Sequence, residues 1–412
     1  MSLRLNFVKV RKSILTILVA LTLFGGGYYF GVKGYKAEVN KALNVKISRE
    51  NPPDKNVDFS LFWEVWDTLS NKYYDKSKLI PSEMIYGAIE GMVAALGDPY
   101  TMYLPPKANK VVEEDLSGSF EGVGMEIGYR ATRLAVVSPL ADSPAEKAGV
   151  KPGDYVVHIS DKKRNIDIGT DGITLPDAVQ AIRGPAGTVV TLTFIRDGSP
   201  APIIVDITRA KLNVPSIVLK LVGDSKNIAD ININKFGAET PGEWSKAVDT
   251  ITANKDIKGI VIDLRNNPGG YLQAAITLAS DFVPTDTVVV IQEAGDLSRV
   301  EYKSEKAGRL QNFKVVVLIN GGSASASEIL AGALRDNKSF KLIGEASFGK
   351  GTVQEPIEIL GGSGLHVTTA KWLTPSGTWV HEKGLEPDIK VLDDEKTLDV
   401  DEQLQAAIKE LE

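Results

Sequence analysis

The sequence predicts a multidomain α/β protein in which a β-rich module precedes an α/β core. Three observations carry this. From Leu212 onward, apolar runs such as Ile260-Val261-Ile262 and Val315–Leu318 alternate with helical stretches, the pattern of a largely parallel sheet covered on both faces. Between about Ser117 and Ile207 the texture is instead short strands and turns. The length, 412 residues, suits two or three domains of roughly 150 residues each.

Residues 1–12, a basic stub, carry Arg4, Lys9, Arg11 and Lys12 and no acid, and residues 13–32 carry no charge at all. As a helix the uncharged stretch would reach about 30 Å, so it is expected to be a single-pass transmembrane anchor with the stub in the cytoplasm. A signal segment is the rival reading. Ile14–Phe24 has the length of its apolar region and Gly25–Gly27 could flank a cleavage site, although no Ala-x-Ala pattern follows. Either reading puts the body on the extracytoplasmic side of the cell membrane, periplasmic or extracellular.

Residues 33–57, polar and broken by Pro52 and Pro53, read as a linker. A helical N-terminal unit is expected over 58–112. Phe59, Phe62, Trp63, Trp66 and Leu69 recur at helical spacing, and Ile85, Ala88, Ile89, Met92 and Leu96 form a second stripe closed by Gly97. Their aromatic residues read first as packing core. The β-rich module follows over 113–210: alternation at Val123, Met125 and Ile127, a short helix from Ser143-Pro144 to Gly149, a strand at Tyr155–Ile159, a helix at Asp177–Arg183, and a hairpin turning at Asp197-Gly198. The core occupies 211–393. A C-terminal helix within 394–412 aligns Val400, Leu404, Ala407, Ile408 and Leu411 on one face. The helices of 58–96 and 400–411 could pair two chains into a homodimer.

Composition limits the chemistry. The chain is 43% hydrophobic and 24% charged, ordinary for a folded protein, and its net charge of −6 argues against nucleic-acid binding. Without cysteine there is no disulfide, thiol nucleophile or thiolate metal site, and three scattered histidines (His158, His366, His381) make a histidine metal site improbable. No cofactor is implied.

In open α/β sheets, sites gather where strands end and helices begin. One such junction is Asp263–Gly270, whose glycine-rich turn frees backbone N–H groups to hold an anion. The other is Asn320–Glu328, with Ser323, Ser325 and Ser327 at a helix start. Ser325 can be a nucleophile or, with Glu328 three residues on, half of a capping box. A serine nucleophile needs a base. His366 and His381 are available, but Lys350 stands between glycines in Ser347–Gln354, where close packing could desolvate it and lower its pKa.

The segments Leu264–Gly270, Gly322–Ile329 and Phe348–Gln354 resemble the signature of the carboxyl-terminal processing, or tail-specific, proteases. The likeness runs from about residue 58 to 412 and includes Gly97–Thr101, Thr374–Gly377 and Gly384–Asp388. The resemblance implies a PDZ domain ahead of a serine-protease core similar to the crotonase and Clp-protease sheet. It implies Ser325 as nucleophile, Lys350 as general base, Gln354 as the residue orienting that lysine, and an oxyanion hole from the N–H groups of Gly270 (or Gly269) and Ala326. Asp336 matches an aspartate sometimes counted with the site, and reads more as a structural support. Val123, Gly124 and Met125 resemble the PDZ loop that holds a peptide's terminal carboxylate, and Arg183 matches an arginine that in some members couples the PDZ domain to the core.

The expected partners are protein or peptide substrates with free C-termini, and the membrane through the N-terminal helix. Rival readings are a membrane-anchored PDZ adaptor with an inactive protease fold, a PDZ-bearing Ser-His-Asp protease, and a crotonase-type thioester enzyme. The intact motifs, the position of His158 inside the PDZ-like module, and the presence of Lys350 with that module weigh against each in turn.

Overall fold

The structure, a computed structural model, describes residues 7–32, 35–39, 45–49, 58–130, 132–140, 142–392 and 400–412. Most of the expected linker at 33–57 and the first residues of the C-terminal segment at 394–412 lie outside these. The chain divides into two units, Met1–Ile85 and Tyr86–Glu412.

The first unit holds helix α1 (Phe7–Val32), an antiparallel pair β1 (Tyr35–Val39) and β2 (Val45–Arg49), and helix α2 (Ser60–Lys72). Among the described residues no helix is long and apolar enough to cross a membrane, so the anchor expected at 13–32 finds no support. The apolar stretch with described side chains is Leu15–Phe24, about 15 Å of helix. Gly25–Gly27, Tyr28 and Tyr29 follow it, while side chains 12–14 and 30–32 lie outside the description. The aromatic stripe of α2 is also not the core it was expected to be: no residue of the helix is buried, and Trp63 is 56% exposed. Its rings meet one another instead, Phe62 packing on Trp63 and Trp66.

Helix α3 (Pro81–Ala94) crosses the division. In the second unit, β3 (Met102–Leu104), α4 (Pro106–Ser117) and β4 (Ser119–Gly122) come next. The β-rich module then contains β5 (Met125–Arg130), β6 (Arg133–Pro139), α5 (Pro144–Lys147), β7 (Tyr155–Asp161), β8 (Ile166–Gly169), α6 (Leu175–Ile182), β9 (Val189–Ile195) and β10 (Ile203–Thr208). Its sheet runs β10-β9-β7-β6-β5, with β8 on β7, so β5 is an open edge. Val190, Leu192 and Phe194 bury one face of β9, as their alternation requires. Ser143 and Thr174 cap α5 and α6 by accepting the N–H groups of Glu146 and Asp177. The chain enters and leaves the module at one place. There β4 pairs with β11 (Ala210–Asn213), and Val214 N–H donates to the Gly118 carbonyl at 3.1 Å.

The core comprises β12 (Ile217–Val222), β13 (Ile228–Ile233), α7 (Thr240–Ala253), β14 (Gly259–Asp263), α8 (Leu272–Ser280), β15 (Val288–Ala294), β16 (Arg299–Lys303), β17 (Lys314–Ile319), α9 (Ala326–Lys338), β18 (Lys341–Gly344), β19 (Thr352–Ile359), β20 (Ser363–Leu373), β21 (Ile389–Lys390) and α10 (Glu402–Leu411). One sheet has the order β12-β13-β14-β17-β18-β21, parallel from β13 to β21. Alternate residues feed its two faces: Ile260, Ile262, Val315 and Val317 pack with α7, α8 and α9, whereas Val261, Val316 and Leu318 pack with Ala407 and Leu411 of α10. The apolar face of α10 is therefore covered within its own chain, which removes it as a surface for pairing two chains.

A second, antiparallel sheet of order β16-β15-β20-β19, with β3 on β20, was not visible in the sequence. Most of β19 is exposed, so it carries no period-two signal. A register shift between Val353 and Gln354 marks a bulge beside the site.

Candidate active site

Because β14 and β17 are parallel neighbours, the turns that follow them lie side by side. Hydrogen bonds from the serine run, beside a pair between Asn266 and Asn320, stitch them together. Ala324 N–H and the Ser327 hydroxyl both donate to the Asn267 carbonyl at 2.9 Å, and the Ser323 hydroxyl donates to the Leu264 carbonyl at 2.8 Å. Ser323 and Ser327 are fully buried by this role. Ser325 between them is only half-buried, and among the described residues its hydroxyl donates to no protein group. Its backbone sits at φ +55°, ψ −115°, a strained turn at the start of α9. Of the three serines, this is the one whose hydroxyl is not spent on a carbonyl of the neighbouring turn.

Glu328 does reach back to Ser325 N–H, at 2.8 Å, as the spacing for a capping box requires. It also does more than the sequence signalled. Its carboxylate is fully buried and accepts the Ser347 hydroxyl at 2.6 Å, Gly349 N–H at 2.8 Å and Lys350 N–H at 2.9 Å. Ser325 and Lys350 share the same oxygen, Oε2, so their backbones lie beside each other although 25 positions apart in the chain. The loop that carries Lys350 needs its glycines for close packing. A Cβ on Gly349 (φ +88°) would come 2.8 Å from the Gly384 nitrogen, and one on Gly351 2.7 Å from Trp379 Nε1. The Lys350 carbonyl accepts Trp372 Nε1–H at 2.9 Å.

The Lys350 ammonium lies 5.2 Å from the centroid of the Tyr100 ring. Burial pushes its pKa below the usual lysine value, opposed by the charges of Asp98 and Glu328. His366 is also held below its ordinary value, by burial and then by the nearby charge of Lys350. His381 stacks on Trp379 and meets Tyr100 edge-on. Gln354 is not hydrogen-bonded to Lys350: its amide nitrogen donates to Thr352 Oγ at 2.9 Å and Thr368 Oγ at 3.1 Å. Asp336 accepts Ser376 N–H at 2.9 Å, tying α9 to the Thr374–Gly377 turn, which is a supporting role.

The two glycines of the turn differ. Gly269 N–H is already committed to Asn267 Oδ1 at 2.9 Å, whereas Gly270 N–H and Ala326 N–H have no partner among the described residues. Asn267, fully buried and donating its own amide to the Ile233 carbonyl, shapes this turn. The Asn-Pro-Gly-Gly run at 267–270 marks the turn in the sequence but not the role of this amide.

In the β-rich module, Val123-Gly124-Met125 leads into the open edge strand β5, beside which α6 packs. Gly124 has φ +76°, and a Cβ there would lie 2.4 Å from Ser143 Cβ, so the loop admits only glycine. Arg183 is no solvated surface cation. It ends α6, lies 4.6 Å from the Phe120 ring centroid, and leaves one buried guanidinium nitrogen without a partner.

Comparison with known proteins gives this arrangement its lineage. The model of peptidase family S41 matches residues 227–391, that of the PDZ domain residues 136–196, and that of the activating protease CtpB N-terminal domain residues 21–108. The chain is 40% identical over 328 residues to a CtpA-like serine protease of Staphylococcus haemolyticus, covering 79% of this chain and 63% of the relative, so it spans less than two thirds of that protein. It is 34% identical over 387 residues to the carboxy-terminal processing protease CtpB of Bacillus subtilis, covering 92% of this chain and 78% of the relative. Among solved structures, a photosystem II D1 C-terminal processing protease matches at a TM-score of 0.50 and 28% identity, over 84% of this chain and 95% of that one. A β-rich module matching the PDZ domain, a strained serine at a helix start and a half-buried lysine pinned to the same carboxylate thus occur in a chain that belongs to peptidase family S41, among the carboxy-terminal processing serine proteases.

Proposed function

We propose that the protein is a serine endopeptidase that cleaves in the C-terminal regions of protein substrates, with Ser325 as nucleophile and Lys350 as general base. The observation that carries this is Glu328, which pins the backbones of both residues to one buried oxygen while the hydroxyls of Ser323 and Ser327 are used in the scaffold. Neutral Lys350 takes the Ser325 proton as the hydroxyl oxygen attacks a peptide carbonyl. The N–H groups of Gly270 and Ala326 hold the oxyanion. Collapse of the intermediate expels the amine, which takes its proton from Lys350, and water then releases the acyl group from Ser325. Desolvation favours the neutral lysine this step requires.

The PDZ domain is assigned the substrate's free C-terminus, which would add to the edge of β5 with its carboxylate at Val123–Met125. The test compares wild type, Ser325→Ala and Lys350→Ala on an unstructured protein with a free or an amidated C-terminus. Both variants are expected to lose cleavage, by about 10⁴-fold or more, and amidation is expected to slow the wild type. Full activity in Lys350→Ala would remove the proposed base.

We further place the catalytic body outside the cytoplasmic membrane. The support is the basic stub followed by the uncharged stretch in residues 1–32. A retained anchor and a cleaved signal segment, which needs only about 7–15 apolar residues, both fit that stretch. Mass spectrometry of the protein recovered from cells separates the two, a new N-terminus after residue 24 marking the signal segment. An intact chain found in the membrane fraction would restore the anchor. The exposed aromatic stripe of α2 supports pairing with a second copy of the chain, which sedimentation can test.

A further inference from the structure

The motif Gly97–Thr101 lies far from the serine and lysine in sequence, yet its Tyr100 ring is the surface on which the Lys350 ammonium rests, 5.2 Å from the centroid. Asp98 organises the motif. Its carboxylate accepts Tyr100 N–H at 3.0 Å and the Thr101 hydroxyl at 2.7 Å. The buried Thr101 hydroxyl in turn accepts Thr368 N–H at 3.0 Å, and the Thr368 hydroxyl accepts the Gln354 amide at 3.1 Å. Strand β3, which follows the motif, pairs with β20, the strand carrying Thr368. A continuous chain of contacts therefore runs from Asp98 through Thr101 and Thr368 to Gln354, while the same carboxylate fixes the ring beneath Lys350.

We infer that Asp98 and Tyr100 are positioning residues for the general base, Tyr100 seating the Lys350 ammonium on its ring and Asp98 holding both that ring and the Thr368–Gln354 pair in register. This rests on the assignment of Lys350 as base. A ring face attracts the charged form of the amine, and a carboxylate nearby does the same. The motif thus steadies the protonated lysine that the departing amine needs, against the burial that favours the neutral one. The groups facing Lys350 are Asp98 and Tyr100 from the motif, Glu328 from α9 and His366 from β20, with His381 behind Tyr100. Burial works to raise the pKa of Asp98, but hydrogen bonds from Thr368, Thr101 and the Tyr100 backbone outweigh it and keep the carboxyl below its usual range, so it is ionised throughout the working pH range.

The test uses the full chain and two readouts. One is kcat/KM for a peptide substrate between about pH 5 and 10. The other is the pH dependence of reductive methylation of Lys350, followed by mass spectrometry, which reports the amine's own pKa whether or not it is the base. Asp98→Asn should move both the acid limb and the labelling curve about one pH unit lower and reduce the plateau about tenfold. Thr368→Val, which removes the hydroxyl bonded to Gln354 and to Asp98 but keeps the Asp98 charge, should reduce the plateau and leave the labelling curve in place. Tyr100→Leu should lose activity that Tyr100→Phe restores.

Thermal transitions near that of wild type establish that each variant is folded. An unmoved labelling curve and an unchanged plateau in Asp98→Asn would overturn the inference, as would Tyr100→Leu with wild-type kcat. If Lys350→Ala itself stayed active, the proposed mechanism would fall, and the labelling curve would still decide whether Asp98 sets the charge of Lys350.

Discussion

Gly269 and Gly270 are adjacent and have different roles. A Cβ on Gly269 (φ +100°) would lie 2.8 Å from Ser325 Cβ and 3.0 Å from the Ala326 nitrogen, and one on Gly270 (φ +138°) would lie 2.2 Å from the Phe236 carbonyl oxygen. Gly269→Ala therefore fills the space over the serine, and Gly270→Ala displaces an N–H assigned to the oxyanion. Each is expected to lower kcat/KM by at least about 10²-fold, read in a steady-state assay beside a thermal melt that shows the variant folded. Wild-type rates in Gly270→Ala would move the oxyanion donor elsewhere. The sequence showed that this turn frees backbone donors. Which donor is free depends on the Asn267 side chain bonding to Gly269, a contact across two residues that no composition or spacing encodes. Among the three serines the capping-box spacing and the family resemblance already singled out Ser325, but that the other two hydroxyls are spent on carbonyls of the neighbouring turn was not legible.

Strands β13, β14 and β17 were legible because each is buried on both faces and reads as an apolar run. Strands β19 and β20 were not, since most of β19 is exposed and β20 buries its two ends around a half-buried middle, so that neither keeps a period of two, and the aromatic stripe of α2 misled because helical spacing reports a face and not what covers it. Asp230 breaks the apolar run of β13, and the structure shows the consequence. It is buried, and that burial, with the charge of Asp263 next to it, raises its pKa to about 6 even though Arg265 and Lys220 pull the other way. Arg265 is already engaged by Asp263 and by Asp401 at the start of α10, at 2.7 and 2.8 Å. An acid with a raised folded-state pKa is most stabilising, relative to the unfolded chain, when protonated. Its contribution is fully present below the unfolded value near 3.8 and is lost as pH rises through about 6. Asp230→Asn is therefore expected to stabilise the protein at pH 7 to 8 by on the order of 2 kcal/mol and to have no effect near pH 4. Thermal melts across that range check it, and a variant less stable than wild type at pH 8 would show that Asp230 is paired rather than stranded.

At the scale of the molecule, five segments spread over nearly 300 positions, Gly97–Thr101, Leu264–Gly270, Ser323–Glu328, Ser347–Gln354 and Thr368, converge on one site, and the PDZ domain is interposed between the first and the rest. The fold tolerates this because the domain hangs on a two-strand stalk. Ser119 faces Asn213 across the β4–β11 pair, and Val214 N–H already donates to the Gly118 carbonyl. The core grips the chain just before the stalk, where the Leu116 carbonyl accepts Ala238 N–H at 3.1 Å and the Asp115 carbonyl accepts the Lys235 ammonium at 2.7 Å. Domains inserted between such close ends fold independently of their hosts. Deleting Ser119–Asn213 and joining Gly118 to Val214 should therefore leave the core folded, with Tyr100 still beneath Lys350. A short reporter peptide, which needs no tail recognition, is expected to be cleaved within about tenfold of the wild-type rate. The difference between free and amidated protein substrates should disappear, because the edge strand β5 and the loop that precedes it have gone. A shortened enzyme that still preferred free C-termini would place tail recognition in the protease core itself. One that folded but cleaved nothing would mean that the PDZ domain, acting through Arg183 and the β4 strand it rests on, helps assemble the site.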